Sequence, residues 1–165
     1  MEESMLLSIQ LQNVFAREYE SLMLAFVGTF EEVSDWNFRE QLEVNFFGTA
    51  NIIRCVLPRM RKQRKGHIIN ITGLTGQIGT PSLSLISAAH HAVEGYSEAL
   101  AYEVAPFNIK VSIVEPPIDT VVLPNQMIFV PPLDAYKNTS AGRIRYLIDS
   151  ITELNPKSVT EVTSF

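Results

Sequence analysis

The sequence predicts an α/β fold built on a parallel sheet with flanking helices. Three stretches carry that reading: His67 to Thr72 is a short continuous apolar run, residues 85–105 have helical periodicity, and Ile109 to Pro117 is a second apolar run ended by two prolines. Continuous apolar strands are the kind that parallel sheets bury on both faces. Strand, helix and strand at this spacing form a crossover unit, whose strands are parallel and whose connection is right-handed.

Taken in order, residues 1–20 place Met5, Leu6, Ile9 and Val14 on roughly one helical face. Residues 21–27, SLMLAFV, fit equally a buried strand or the end of that helix, and Gly28 stops them. From Phe30 the pattern is helical until Gly66, with Ser34 as N-cap. Val44, Phe47, Ile52, Val56 and Met60 are expected to face a core, and Pro58 to bend or re-cap the last turns. The strand 67–72 leads into a loop, 73–84, whose Gly73, Gly76, Gly79 and Pro81 argue against regular structure. In the next helix Ala89, Val93, Tyr96 and Leu100 form a stripe, and Pro106 closes it. Beyond the second strand, Pro117, Pro124, Pro131 and Pro132 interrupt the chain, so 119–138 reads as a loop or lid-like excursion. Residues 139–155 are a last amphipathic helix, with Ile144, Leu147, Ile148 and Ile151 on one face.

At 165 residues, 46% hydrophobic and 19% charged, the chain is long enough for one domain with a substantial core. Its net charge of −5 gives no general attraction for phosphate backbones, so nucleic-acid binding is not expected. Arg59, Arg61, Lys62, Arg64 and Lys65 form a local basic run, but at a helix C-terminus cations offset the dipole and face water. The single cysteine, Cys55, excludes an internal disulfide and has apolar neighbours, which suggests a buried thiol and a reducing, cytoplasmic setting. No apolar run reaches the ~18 residues of a membrane span, and two acids open the chain where a secretory signal carries cations. The sequon at Asn70 falls inside the first strand, and the one at Asn138 carries little weight without a secretory signal. His67, His90 and His91 have no carboxylate or cysteine at ligand spacing, so no metal site is expected.

Four blocks, His67 to Gly95, Val44 to Thr49, Arg61 to Asn70 and Val111 to Thr120, resemble motifs of the short-chain dehydrogenase/reductase family. His67 to Gly95 is similar to its catalytic strand, loop and helix, and Val44 to Thr49 (VNFFGT) to its V-N-x-x-G-T helix motif. Arg61 to Asn70 resembles the entry to its fifth strand, and Val111 to Thr120 (VSIVEPPIDT) the strand and loop beside the nicotinamide. The likeness covers Phe30 to Thr120, with a fainter echo at 155–162. It implies one incomplete domain: 1–29 unmatched, 30–120 the core, and 121–165 variable. The implied fold is a partial Rossmann-like, doubly wound parallel sheet lacking most of the N-terminal nucleotide-binding half.

The family's reaction needs a proton donor as well as a hydride, and its tyrosine, lysine and serine supply and tune that donor. In this sequence the matching positions are Ile86, His90 and Gly73. Thr72 is expected to point to the opposite face from Gly73. Asn45 alone matches the family tetrad; with no tyrosine to serve, it reads first as a buried polar group tying a helix kink to nearby backbone. His90 is the candidate substitute acid or base, since an imidazole titrates near pH ~6.5. Pro117 and Thr120 match the nicotinamide-side loop, although Pro117 replaces a glycine and removes a backbone donor.

Gly73-x-x-Gly76-x-x-Gly79 followed by Glu94 mimics a dinucleotide fingerprint, but its spacing is wrong and Glu94 falls within a helix, so the glycines read as loop and close-packing residues. The family's T-G-x-x-x-G-x-G and N-N-A-G motifs are absent, and the 29 residues before Phe30 are too few for two crossover units of ~30 residues each. No complete nucleotide pocket, and hence no bound cofactor, is expected. The resemblance implies a protein that has lost hydride transfer and acts by binding or dimerisation, with itself or with an intact relative, through the helices at 38–65 and 86–105. The alternative is an NAD(P)-dependent oxidoreductase in which His90 and a hydroxyl such as Ser87 or Ser84 replace the lost groups.

Overall fold

A computed structural model describes residues 23–115 and 126–153. The helical segment expected at 1–20, Pro117, Thr120 and the echo at 155–162 lie outside the described residues. Among those described, the order is β1 (Leu24–Val27), α1 (Asp35–Leu42), a π-helical turn (Glu43–Phe47), α2 (Gly48–Gln63), β2 (Gly66–Ile71), α3 (Ser84–Val104), β3 (Ile109–Val114), β4 (Gln126–Phe129) and α4 (Ser140–Glu153). The architecture is α/β, with two short parallel sheets and flanking helices. β2 pairs with β3 in parallel, Gly66 opposite Ile109 and Ile71 opposite Val114, around the crossover helix α3. β1 pairs with β4 in parallel, Leu24 opposite Gln126.

Within the ambiguous segment expected at 21–27, Leu24–Val27 form a strand because each of these side chains finds an apolar partner layer. Ala25 and Val27 pack with Met127 and Ile148 on one face, while Leu24 and Phe26 pack with Ile128, Leu85 and Phe38 on the other. The excursion expected at 119–138 contains β4, which supplies the strand that β1 pairs with. Two of its prolines, Pro131 and Pro132, follow the strand instead of breaking it, since they come after Phe129. Arg145 fastens α4 to this sheet by donating to the carbonyls of Val27 (3.4 Å) and Val130 (2.5 Å), with its guanidinium 5.6 Å from the centre of the Phe129 ring.

The start of α1 follows expectation. Ser34 Oγ accepts from the Asn37 amide at 3.1 Å and Asn37 Oδ1 accepts from the Ser34 amide at 2.8 Å, a reciprocal cap. The π-helical turn after it was not legible, and it moves the buried stripe. A π turn inserts one extra residue, so every later residue is rotated by about one helical position. Ile53, Leu57 and Met60 consequently face the core; Ile52 and Val56 are only partly buried, Phe47 is 47% exposed, and Val44 packs against the β1–β4 layer. The same rotation leaves Cys55 exposed, contrary to the buried thiol expected. Pro58 lies within α2, which runs on to Gln63 and is capped by Arg64 in the left-handed region at φ 50°.

The second core joins Ile53 of α2, Ile68 of β2, Leu100 and Val104 of α3 and Ile109 of β3. It covers one face of the β2–β3 pair. The outer face exposes Ile69 (41%), Ile71 (59%) and Val114, so these strands are not covered on both sides as their apolar runs suggested. On α4, Ala141 and Ile148 are buried, but Leu147 is not part of the packed face. No helix among the described residues is long and apolar enough to cross a membrane.

Candidate functional site

The polar residues that matter converge where β2 ends and α3 passes beside it. From α3, His90, Glu94 and Ser97 recur at intervals of four and three, which places them along one side of the helix. Each meets a partner from the strand or the loop after it. Asn70 Nδ2 donates to Ser97 Oγ at 2.7 Å, and Thr72 Oγ1 donates to Glu94 Oε1 at 2.8 Å. His90 Nδ1 shares a 2.7 Å hydrogen bond with Thr75 Oγ1. Gln77 Nε2 donates to Glu94 Oε2 at 2.7 Å and to Glu115 Oε1 at 3.2 Å, extending the ladder to the surface. These bonds satisfy groups that would otherwise be desolvated at a loss of about 1–3 kcal/mol each.

Glycine at 76 makes this docking possible. Gly76 ends a 3-10 turn, Leu74–Gly76, and a Cβ placed there would lie 1.8 Å from Glu94 Oε1. The loop therefore needs glycine at 76 for close packing; of the three glycines expected to serve that end, only this one is so confined, since Gly73 has ordinary contacts and Gly79 open space. We expect Gly76→Ala to destabilise the fold by about 2 kcal/mol through overpacking and displacement of the carboxylate. Gly79→Ala, where nothing lies within 4 Å of a Cβ, should leave the urea unfolding midpoint nearly unchanged. Equal midpoints for the two variants would refute the role given to Gly76.

His90 is 5% exposed, and burial, reinforced by the neighbouring His91, lowers its pKa to about 4. At neutral pH it is an uncharged imidazole whose Nδ1 is already engaged by Thr75. Gly73 faces it: a Cβ at 73 would sit 3.7 Å from His90 Cε1. Two of the three positions expected to match the family's catalytic side chains are thus brought together, and the third points elsewhere. Ile86 is 4% exposed within the apolar cluster of Ala25, Val27, Leu83, Met127 and Ile148. The phenol of Tyr96, further along α3, is pushed up to about 12 by burial.

Asn45 stands apart from this group. Its Oδ1 accepts from the Leu24 amide at 3.0 Å and its Nδ2 donates to the Leu24 carbonyl at 2.6 Å, so the side chain pairs with the edge of β1 as another strand would. Gln41 continues the pattern, accepting from the Phe26 amide at 2.9 Å and donating to the Leu24 carbonyl. The hydroxyls proposed to partner His90 do not do so. Ser87 Oγ accepts from the Thr80 amide at 3.4 Å, and Ser84 Oγ is buried without a hydrogen bond. Thr75 takes that place. Neither Thr75 nor Glu94 was singled out for chemistry from sequence; the available signal was the regular spacing of polar residues 90, 94 and 97 on a helix with an apolar stripe. Among the described residues no group of three or more His, Cys, Asp or Glu side chains could hold a metal ion.

Comparison with known proteins agrees with this fold. The family model described as short chain dehydrogenase matches residues 23–126. The chain is 49% identical over 89 residues to 3-ketodihydrosphingosine reductase of Bacteroides thetaiotaomicron, covering 54% of this chain and 33% of that protein. It is 36% identical over 93 residues to retinol dehydrogenase 8 of Homo sapiens, covering 56% of this chain and 30% of the relative. The matched part is therefore about a third of the length of these curated relatives. A crystal structure of a short-chain dehydrogenase from Streptomyces avermitilis superposes with a TM-score of 0.67 at 26% identity, covering 96% of this chain and 67% of the other. ElxO with NADP bound, at 24% identity and a TM-score of 0.55, shares the fold.

Proposed function

Because this chain belongs to the short-chain dehydrogenase/reductase family, we propose that it is a member which no longer transfers hydride and which acts by association through α2 and α3. One observation carries the first half: the position of the family's proton donor is Ile86, sealed in an apolar cluster. A reductase must deliver a proton to the developing alkoxide, and a hydrocarbon side chain has none to give. The lysine position holds an uncharged imidazole bonded to Thr75, and it offers a nicotinamide ribose no ammonium. These residues do not fit a bound nicotinamide nucleotide. A cytoplasmic setting, resting on composition, belongs to the same reading.

The association half rests on charge and shape. Residues 44–93 contain no Asp or Glu, and α2 exposes Arg54, Arg59, Arg61 and Lys62; α3 contains no Lys or Arg and exposes Glu98 and Glu103. On α3 the exposed Ala88, Gly95 and Ala99 keep the surface low enough for another helix to approach. A twofold pairing would set the basic helix of one copy against the acidic helix of its partner, or of an intact relative.

The test is a titration with NADPH followed by nicotinamide fluorescence, together with sedimentation at low and high salt. We expect no saturable cofactor binding up to about millimolar concentration. We also expect a dimer that Glu98→Lys with Glu103→Lys weakens about tenfold. Binding at micromolar NADPH would overturn the loss of catalysis, and a monomer at all salt concentrations would overturn the association. A second reading is favoured by the 2.7 Å His90–Thr75 pair beside Gly73: an NAD(P)-dependent oxidoreductase acting on a carbonyl or alcohol with that pair at its centre. Micromolar binding in the same titration selects it.

A further inference from the structure

The β2–β3 pair has one face that no apolar cluster of the described residues includes. Alternation along β2 puts His67, Ile69 and Ile71 on that face, and the parallel register sets Lys110, Ser112 and Val114 beside them. Ile69, Ile71 and Val114 are exposed there, whereas Ile68 on the reverse side is buried against α2 and α3. Strands this apolar are the kind that parallel sheets cover on both sides. We propose that the cover is the chain's own segment 2–9, seated with Glu2 toward Lys110 and with Met5, Leu6 and Ile9 over Ile69, Ile71 and Val114.

The size of the face argues for a tethered occupant. Three partly exposed aliphatic side chains cannot supply the ~800 Å² per partner that a stable complex of separate molecules buries. A segment of the same chain is held at high effective concentration and docks on a smaller area.

The order of residues selects the segment. Glu2, Met5, Leu6 and Ile9 stand at i, i+3, i+4 and i+7, one face of a helix with a carboxylate at its start and hydrocarbon after it. The sheet face has the matching order, since His67 and Lys110 begin it and Ile71 and Val114 end it. His67 Nε2 and Ser112 Oγ, 2.8 Å apart, tie the two strands at the basic end. The lengths agree as well: Glu2 to Ile9 spans roughly 10 Å at ~1.5 Å per helical residue, and His67 to Ile71 roughly 13 Å at ~3.3 Å per strand residue. The reverse orientation would bring Glu2 to Glu115, just past Val114. Residues 10–22 remain to join Ile9 to Met23, enough extended chain for roughly 40 Å. At the other end of the sequence, 154–165 offers Val159 and Val162, but Lys157 precedes them and would meet Lys110 with like charge. Apolar contact supplies the hold, and the Glu2–Lys110 pair sets the direction.

The test uses the full chain with Cys55→Ser, which leaves no native thiol. Met5→Cys is combined either with Ile71→Cys on the outer face or with Arg54→Cys on α2, across the sheet, both exposed positions. Under mild oxidation we expect the Ile71→Cys combination to close an intramolecular disulfide at least about tenfold faster than the Arg54→Cys combination. Lys110→Glu should slow that closure about threefold, and adding Glu2→Lys should restore it. Equal rates for the two combinations, disulfide-linked dimers as the main product, faster closure from Val162→Cys than from Met5→Cys, or a rate indifferent to Lys110→Glu would each overturn the proposal.

Discussion

Putting the family's three side chains back, with Gly73→Ser, Ile86→Tyr and His90→Lys in one chain, is expected to remove most of the protein's stability and to yield no ketone reduction. The three changes are unequal. Gly73 has an extended backbone at φ 178°, and its Cβ would make ordinary contact with His90, so serine fits there. Ile86 is packed on all sides, and a phenol ring inserted among Ala25, Val27, Met127 and Ile148 should overpack the layer by about 1–3 kcal/mol. His90→Lys is the most damaging change. It breaks the Thr75 bond and places an ammonium where the imidazole is already held uncharged, for about 3 kcal/mol or more.

Together these approach the ~5–15 kcal/mol that holds an ordinary domain folded. The measurements are urea unfolding and ketone-dependent NADPH oxidation, made on each single variant as well as the triple. Gly73→Ser should unfold within about 0.5 kcal/mol of the parent. A triple variant with the parent's midpoint and measurable turnover would show that the surroundings accommodate the family's catalytic side chains.

That outcome would also bear on what the amino-acid pattern can reveal. The crossover unit was legible because its signals are local and strong. Two apolar runs flanking a helix with a regular stripe admit few arrangements, and Ala89, Val93 and Leu100 are buried as their spacing requires. β4 was hidden because a four-residue strand among prolines has no periodicity of its own. Its partner, β1, lies about a hundred residues upstream, and only their pairing gives QMIF a reason to be extended. The shift of the buried face on α2 was hidden for a different reason. A π turn is specified by tertiary bonds, here Asn45 and Gln41 reaching the β1 backbone, and sequence periodicity assumes that no residue is inserted.

At the site, the residues standing at the motif positions 73, 86 and 90 could be read directly from the sequence, while the side chains that pack around them could not. Ile86 and His90 are one helical turn apart, yet one joins a core and the other a polar ladder, because the layers they meet differ. Thr75 became the partner of His90 only through the 3-10 turn that Gly76 permits, and glycine-rich loops conceal such turns. Glu94 resembled the acidic end of a fingerprint in sequence and is instead the carboxylate that docks the loop onto the helix.

His90 should also make the protein acid-labile before its carboxylates do. Its folded pKa of about 4 lies below the unfolded value of 6.5, so the unfolded chain takes up the proton first as pH falls. Its favourable contribution is complete above pH ~6.5 and is withdrawn between there and about pH 4, and the separation of the two values corresponds to about 3 kcal/mol. Glu32 acts lower. Burial pushes its carboxyl up, but the Leu133 and Thr29 amides and Arg145 outweigh that and hold it below its ordinary value of 4.5. Its contribution is present above the unfolded value and is lost as pH falls through the folded one, so the two windows follow one another. Urea unfolding at intervals from pH 7.5 to pH 4 should show stability falling from about pH 6.5 in the parent, a nearly flat profile down to about pH 5 in His90→Gln, and the parental fall in Glu32→Gln. If His90→Gln keeps the parental slope, the imidazole is not the group being protonated, and burial does not hold it neutral.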